Sequence, residues 1–363
     1  GTTVYYYLSA ADTGGNASTH PSGAPTELHS FHVGLDTTPP VIEHAPLTDQ
    51  VLVGWPATVS ATVTDNQGVD TVTLEFSING GAVQSVPMLP ARDGAYAADF
   101  LGSVSVGDTV EYRIVAVDVA LTPNTATDPA AGFHEFSIIE QIPVFIFDPD
   151  PTHLSGPVIG QFLSDHGIAH DTGSLLPENC GWYRTIFVCL GIYPSNHQLA
   201  AAEGQALAQF LDNGGRLYME GGDTWAYDPA TAVHPYFHID GLTDGTGDAG
   251  PIQGASGTFT EGMNFAYQGE NSYIDHLAPL GSAFAIFLET TPQYINGIAY
   301  DGGGYRTVGT SFELGGLVDG TSPSTKEELL EEILEFFGMD ASGLLFEDGF
   351  ESGDTSTWSA TVP

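Results

Sequence analysis

The sequence contains very few basic residues. Its 363 residues include 6 Lys and Arg against 46 Asp and Glu, which gives a formal net charge of −40. The six cations stand singly, so none of them belongs to the kind of cluster that neutralises nucleic-acid phosphates or anionic lipid. We therefore exclude a nucleic-acid partner. So many carboxylates repel one another unless divalent cations or a salty medium neutralise them, which indicates an extracellular protein. The alternative is that the acidity only keeps a secreted protein soluble.

Long apolar runs and cysteines are also scarce. No run of about 18 apolar residues occurs, so we expect no membrane insertion. The two cysteines, Cys180 and Cys189, flank an expected strand about 20 Å long. A disulfide needs Cα atoms about 5.5 Å apart, so we expect both thiols to be free. The chain opens without Met or a basic segment, and we expect any signal peptide to lie upstream.

A repeated pattern organises the first part of the chain. Residues 5–34 and 110–139 each show a strand, an Asp, a turn with Asn, and a second strand with His-x-Phe. The second copy closes a series of short alternating strands separated by turn residues, which is typical of an antiparallel β-sandwich. The expected strands are residues 41–44, 57–64, 71–78, 95–101, 110–117 and 132–139.

Three motifs in this region carry a family resemblance. DTTPPVI (36–42), TDNQGVDTVTL (64–74) and YRIVAVDVALTPNTA (112–126) resemble tandem bacterial immunoglobulin-like or fibronectin-like modules of large exoproteins. The resemblance implies that residues 1–36 are the terminal hairpin of a preceding module and that residues 37–141 form an immunoglobulin-like β-sandwich.

From residue 142 the pattern changes to apolar strands that alternate with helix signals. Apolar runs at 144–147, 186–190 and 216–219 precede or follow helices capped by Ser155, by Ser195-x-x-Gln198 and by Ser324-x-x-Glu327. Further strands are expected at 283–288, 294–300 and 305–312. The alternation predicts a doubly wound α/β domain with a mostly parallel sheet over residues 142–340, followed by an acidic C-terminal tail over residues 341–363.

The α/β region is similar to the class I glutamine amidotransferase-like, flavodoxin-like fold. The similarity rests on YRTIFVCLGIYPSNHQLAAAEGQALAQFLDNGGRLYMEGGDTW (183–225) and RTVGTSFELGGL (306–317). Active members carry a Cys on the turn after the strand at 216–219. Here that turn reads Glu220-Gly221-Gly222-Asp223, so the resemblance implies the fold without its nucleophile, and we expect no enzyme. The tail resembles the DGFESGD-type terminus of secreted bacterial proteins.

A second acidic motif allows another interpretation. Asp148-Pro149-Asp150-Pro151-Thr152 follows an apolar strand and resembles the first motif of haloacid-dehalogenase-like phosphatases, while Asp223 stands where a later metal-binding carboxylate would be. No Lys occurs between residues 152 and 223, although that mechanism relies on one. Asp148, Asp150 and Asp223 are therefore candidate calcium or magnesium ligands, with or without catalysis; no cofactor is certain.

Two weaker patterns complete the candidates. Asp36, Asp65, Asp70 and Asp118 could hold Ca²⁺ at module junctions, or each could cap its own turn. His166 and His170 stand four residues apart, but Gly167 breaks the helix between them, so we expect a surface pair.

Two function classes remain open. The first is a non-catalytic structural or adhesive segment of a secreted bacterial protein, extracellular or on the cell surface. Its partners would be extracellular components or copies of itself, with fibres built through the hairpin at residues 1–34. The alternative is a metal-dependent, phosphatase-like hydrolase that uses Asp148 and Asp150.

Overall fold

The chain is rich in strands and divides into two units. The computed structural model describes residues 1–247, 249–290 and 293–339. The first unit is Gly1–Ile139, and the second begins at Glu140, two residues before the boundary expected from the sequence. The tail expected at 341–363 lies outside the described residues.

The first unit opens with a nested hairpin. Its four strands are β1 (Thr2–Tyr6), β2 (Leu8–Ala11), β3 (Ala17–His20) and β4 (His29–Val33). β1 pairs antiparallel with β4, and β2 pairs antiparallel with β3. Tyr5, Leu8 and Phe31 are 64%, 61% and 52% exposed, so this hairpin contributes no buried core of its own.

Two sheets with one shared core make up the rest of the first unit, and their strands pair antiparallel except for one short pair at an edge. Their strands are β5 (Val41–Glu43), β6 (Gln50–Val51), β7 (Thr58–Thr64), β8 (Val69–Ile78), β9 (Gln84–Pro87), β10 (Leu89–Pro90), β11 (Ala95–Asp99), β12 (Thr109–Asp118), β13 (Thr125–Asp128) and β14 (His134–Ile139). One sheet has the order β10-β11-β7-β5, and the other has the order β6-β14-β12-β8-β9 with β13 on β12. All six expected strands are present, with ends that differ by at most two residues from the prediction.

The alternation of the sequence explains these strands. In β12 the buried side chains include Val110, Tyr112, Ile114 and Ala116, because side chains two residues apart point to the same face. They share a core with residues of the opposite sheet such as Val59.

The second unit is built on one large sheet with three helices among the described residues. Its strands are β15 (Ile142–Phe147), β16 (His170–Gly173), β17 (Tyr183–Cys189), β18 (Arg216–Glu220), β19 (Ile239–Thr243), β20 (Ile252–Gly254), β21 (Asn264–Tyr267), β22 (His276–Pro279), β23 (Phe284–Thr290), β24 (Gln293–Asp301), β25 (Arg306–Thr310) and β26 (Leu317–Val318). The helices are α1 (Gly156–Asp165), α2 (Ala201–Asp212) and α3 (Lys326–Phe336). None of these helices has the length and apolar character needed to cross a membrane.

The sheet is parallel in one half and antiparallel in the other. β16-β15-β17-β18-β25 are neighbours in this order, and all four pairings are parallel. β24 then pairs antiparallel with β25 and with β23. The expectation of a mostly parallel sheet is therefore wrong for the sheet as a whole. The reason is that short loops join β23, β24 and β25 directly, and a parallel pair needs a longer crossover.

Helices cover both faces of the parallel half. On β15, Val144 and Ile146 pack in the core that contains α1 and α3, whereas Phe145 and Phe147 pack in the core that contains α2. An all-apolar strand is what burial on both faces requires. Because β16, β15, β17, β18 and β25 run parallel, the carboxyl ends of these five strands lie at one edge of the sheet.

The helix starts differ from the predicted caps. α2 begins at Ala201, and the carboxylate of Glu203 in its first turn accepts a hydrogen bond of 2.7 Å from the Ala200 N–H. The capping box predicted at Ser195 is therefore wrong. α3 is capped by Thr325, whose hydroxyl accepts from the Glu328 N–H, one residue later than predicted. Ser155 precedes α1, but its hydroxyl makes no capping bond.

Candidate metal centres and buried carboxylates

Neither cysteine is poised for nucleophilic chemistry. Both thiols are free and buried, as predicted, with Cys189 at the end of β17 only 1% exposed. Burial raises the pKa of the Cys189 thiol well above its usual value and that of Cys180 to about 11. A reactive thiol needs a lowered pKa and some exposure, so both behave as small core side chains.

Glu220 ends β18 where the amidotransferase-like family carries its turn. Its Oε2 accepts hydrogen bonds from the Tyr218 hydroxyl at 2.8 Å and from the Leu314 N–H at 2.7 Å. Burial nevertheless raises its pKa to about 7. Ser155, predicted as a helix cap, instead accepts from the Gly315 N–H at 2.8 Å and hydrogen-bonds Glu220.

Glu313 reaches a small cleft beside this position. The glutamate is 2% exposed; burial, followed by the charges of Glu220 and Asp150, raises its pKa to about 8. The cleft has a volume of about 170 Å³, and its lining comprises Thr152, Leu154, Ile192, Pro194, Ser195, Gln268, Gly269, Glu270 and Glu313. From the sequence, Glu220 is considered only as the residue that stands in place of a nucleophile and Glu313 is not a candidate, although each follows an apolar run, at 216–219 and 305–312.

The structure separates the three predicted metal ligands. Asp150 closes its own turn by accepting from the Thr152 N–H at 2.9 Å and the Thr152 hydroxyl at 2.5 Å. Asp148 Oδ2 lies 3.0 Å from His153 Nδ1, while its Oδ1 is buried without a hydrogen-bond partner. Burial raises the pKa of Asp148. Asp223 Oδ2 accepts from the Tyr193 N–H at 2.9 Å.

Among the described residues, the ligand atoms of Asp148, Asp150 and Asp223 do not all lie within 4.8 Å of one another. The metal site predicted at these three residues therefore stays a prediction, because their oxygens are not arranged around one point. Asp223 instead lies beside the loop of Asp275, whose N–H donates a hydrogen bond of 3.1 Å to Gly222 O. Burial, and then the charges of Asp223 and Asp244, raises the pKa of Asp275 to about 7.

Basic side chains of this unit lie away from these carboxylates. Arg184, Arg216 and Arg306 stand at the amino ends of β17, β18 and β25, at the opposite edge of the parallel strands. Lys326 Nζ pairs with Asp319 at 3.0 Å. The carboxyl edge therefore carries buried acid groups that these four side chains do not neutralise.

In the first unit, three of the four predicted calcium aspartates come together. The ligand oxygens of Asp36, Asp65 and Asp118 all lie within 4.8 Å of one another, whereas Asp70 is exposed on β8 and is not part of the group. Asp65 Oδ2 is buried without a hydrogen-bond partner. The three residues come from the segment before β5, the loop before β8 and the end of β12.

Hydrogen bonds fix two of these aspartates in their loops. Asp65 Oδ1 accepts from the Gln67 and Gly68 N–H groups at 2.8 and 3.0 Å. Asp118 is 1% exposed and accepts from the Asn124 side chain at 2.7 Å. Desolvation would raise the pKa of Asp118, but hydrogen bonds led by those from Asn124 outweigh it and lower the pKa. Asp65 and Asp118 therefore close their own turns, which is one of the two expected roles, and the other, calcium binding, stays a prediction.

Two histidine-containing groups have their nitrogens engaged in hydrogen bonds or ion pairs. His44, Asp128 and His134 converge in the first unit, where His44 contacts Ser60 O and the Tyr112 hydroxyl at 2.8 Å each. His166 lies beside Glu327 and Glu331 of α3, and its Nδ1 lies 2.9 Å from Phe162 O. It does not pair with His170 in this arrangement.

No protein-family model and no curated protein sequence matches the chain. Solved structures give weak similarity. A ThuA-like protein from Parabacteroides merdae is 12% identical, with a TM-score of 0.35 over 57% of this chain and 92% of its own. The exo-β-1,4-mannosidase Op5Man5 from Opitutaceae bacterium strain TAV5 is 12% identical, with a TM-score of 0.34 over 47% of this chain and 31% of its own. A Br derivative of BhCBM56 is 18% identical, with a TM-score of 0.17 over 22% and 76%. At these TM-scores the similarities carry no argument about fold or function.

Proposed function

We propose that this chain is a calcium-stabilised, non-catalytic structural or adhesive segment of a secreted bacterial protein. The observation that carries the proposal is the convergence of Asp36, Asp65 and Asp118 within 4.8 Å. Calcium–oxygen distances are about 2.3–2.6 Å, so two oxygens on opposite sides of one Ca²⁺ lie up to about 5 Å apart. The three oxygens are therefore already close enough together to bind one Ca²⁺.

The chemistry of the cluster favours calcium over other ions. All three side chains offer hard carboxylate oxygens, and calcium tolerates irregular loop ligands better than magnesium, which demands near-octahedral geometry. Asp65 Oδ2 is buried with no donor, a costly state for a charged atom unless a cation pairs with it. A Ca²⁺ bound here would connect the segment before β5 to the loops of the sandwich, which is a structural role.

The finer fold assignment is part of the proposal. Two sheets around one core, antiparallel in every pairing except that of β6 with β14, support an immunoglobulin-like sandwich for the first unit. In the second unit, the parallel strands taken in chain order have the spatial order 2-1-3-4-5, which is the flavodoxin-like order of doubly wound folds. Helices on both faces support the same class and the amidotransferase-like resemblance.

The absence of a thiol at the family's turn supports a non-catalytic role. The turn after β18 offers Glu220, whose carboxyl is held by hydrogen bonds, and two glycines. The buried Cys189 has a raised thiol pKa, so it does not substitute as the nucleophile. We place the segment outside the cell or on the cell surface, where millimolar calcium would fill acidic sites.

A metal-dependent, phosphatase-like hydrolase remains the second candidate. It is favoured by the unpartnered Oδ1 of Asp148 at the carboxyl edge of the sheet. However, the charge of the neighbouring Asp150, which also acts on Asp148, would repel a phosphate group there. The basic residues of this unit are at the other edge or already paired, so they would not offset that repulsion.

Calcium titration of the full chain tests the proposal. After treatment with chelator, Asp65→Asn should bind Ca²⁺ at least tenfold more weakly at the Asp36 cluster than the wild type. Asp70→Asn is the matched control, because it removes the same charge from an exposed position five residues away. If Asp65→Asn and Asp70→Asn show equal calcium affinity and equal melting temperatures in calcium, the calcium-stabilised role is wrong.

A further inference from the structure

Three aspartates from distant parts of the second unit approach one another beside the turn after β18. Asp223 follows β18, Asp244 follows β19, and Asp275 precedes β22. Their proximity shows in the backbone, since the Asp275 N–H donates a hydrogen bond of 3.1 Å to Gly222 O, next to Asp223, and the charges of Asp223 and Asp244 both act on Asp275. This group does not include the residues of the calcium cluster in the first unit.

Asp275 has an oxygen that nothing in the described protein satisfies. The residue is 0% exposed. Its Oδ2 accepts hydrogen bonds of 2.8 Å from the main-chain N–H groups of Trp225 and Ala226, which hold the carboxylate in a fixed orientation. Its Oδ1 is buried and has no hydrogen-bond partner. A buried carboxylate oxygen without a donor is costly, so this position calls for a ligand.

One of the other two aspartates presents an oxygen in the same state, and the third is buried with one oxygen engaged. Asp244 Oδ1 is also buried without a partner. Asp223 is 4% exposed, and the Tyr193 N–H engages only its Oδ2. The site is therefore rich in acceptors. Loop backbone approaches closely here too, because a Cβ on Gly245 would lie 2.1 Å from Ile274 O.

The protein does not place a positive charge in this group. Of the basic residues in the second unit, three arginines begin strands at the opposite edge of the sheet, and Lys326 pairs with Asp319. Asp223 and Asp275 are buried and Asp244 is half-buried, so this group must share protons or bind a cation, because isolated buried charge is expensive. All available ligands are oxygens, which suits a hard divalent cation rather than zinc or copper.

We propose that Asp223, Asp244 and Asp275 form a second calcium site that joins three loops at the carboxyl edge of the parallel strands. In the structure their oxygens are not all within 4.8 Å of one another. Binding therefore draws one side chain inward. Asp244 is that side chain, because it lies on a loop and neither of its carboxylate oxygens makes a hydrogen bond to the described residues, whereas main-chain N–H groups hold Asp223 and Asp275.

Isothermal titration of the full chain with CaCl₂, after chelator treatment and in about 150 mM KCl to screen nonspecific surface charge, measures this site. In an Asp65→Asn background, one calcium should remain bound. Adding Asp244→Asn should weaken that binding at least tenfold. The matched control is Asp240→Asn, at an exposed position of β19 four residues away. This substitution should leave the calcium affinity unchanged within twofold.

Two further outcomes keep the result interpretable. Asp223→Asn, read together with circular dichroism to verify folding, should give the same loss as Asp244→Asn. Equal calcium affinity in the Asp244→Asn, Asp223→Asn and Asp240→Asn proteins would overturn the second site. If the wild type binds one ion that Asp244→Asn removes and Asp65→Asn does not, this inference stands and the calcium role of the first unit falls.

Discussion

The hydroxyl of Tyr218 donates a hydrogen bond of 2.8 Å to the carboxyl of Glu220, two residues further along the same strand. Side chains two apart on a strand share a face, so the bond is built into β18 and holds the carboxyl at the edge where strands end. Even with this donor, burial keeps the pKa of Glu220 at about 7, and that of Glu313 at about 8. Both glutamates therefore hold protons near neutral pH.

We predict that the second unit loses stability as the pH rises from about 5 to 8. Between the ordinary value of 4.5 and the raised values, the folded state keeps protons that the unfolded state releases. The free energy of unfolding then falls with rising pH, by up to about 1.4 kcal/mol per pH unit for each group. It levels off above pH 8. Urea unfolding at a series of pH values measures the slope.

Glu313→Gln should flatten this pH dependence and stabilise the protein at pH 8 relative to the wild type. The amide stays neutral, so the cost of ionising a buried carboxyl disappears. Glu178→Gln, an exposed position of the same unit, is the control and should retain the wild-type slope. An unchanged slope in Glu313→Gln would show that this carboxyl is already ionised in the folded state.

We predict that both thiols resist labelling in the native protein. Cys189 and Cys180 are 1% and 7% exposed, so a thiol reagent at pH 8 must wait for local opening and should react roughly a hundredfold or more slower than in denaturant. Ellman's reagent with and without guanidinium measures both rates. Fast native labelling of Cys189 would reopen the possibility of thiol chemistry.

The sequence was informative where a residue's environment follows from its neighbours. The alternation in β12 and the apolar spacing in α3 predicted both elements, because period and burial are local properties. The calcium aspartates of the first unit were partly foreseen, since Asp65 and Asp118 sit in recognisable turns. The role of Asp275 was not foreseen, because its loop meets Asp223 and Asp244 only through the pairing of distant strands. No residue spacing in the sequence indicates such a meeting.

We predict no phosphatase activity that depends on Asp148. The wild type and Asp148→Asn should show the same background hydrolysis of p-nitrophenyl phosphate with Mg²⁺ or Ca²⁺, because Asp150 would repel the phosphate group and the basic residues of this unit lie at the other edge or are paired. Hydrolysis that exceeds the buffer rate and disappears in Asp148→Asn, at an unchanged melting temperature, would favour the hydrolase over the structural role.

The hairpin at the start of the chain leads to a prediction about assembly. Tyr5 and Leu8 are 64% and 61% exposed, and Phe31 and Val33 on β4 are 52% and 51% exposed. β1 pairs only with β4, so no other described strand pairs with its second edge. A two-stranded hairpin is marginal in water, and an open apolar edge templates pairing with another chain.

We therefore expect the full chain to associate in a concentration-dependent way through this hairpin. Head-to-tail pairing of this kind extends into filaments unless its rotation closes a ring. Light scattering should show growth for the full chain and a monomer for a variant that starts at Asp36, which keeps the calcium cluster. Tyr5→Ser with Phe31→Ser, at full length, should also reduce association, because it removes apolar surface and leaves the backbone edge in place. If the full chain is monomeric at high concentration, the fibre hypothesis is wrong and another partner must cover the hairpin.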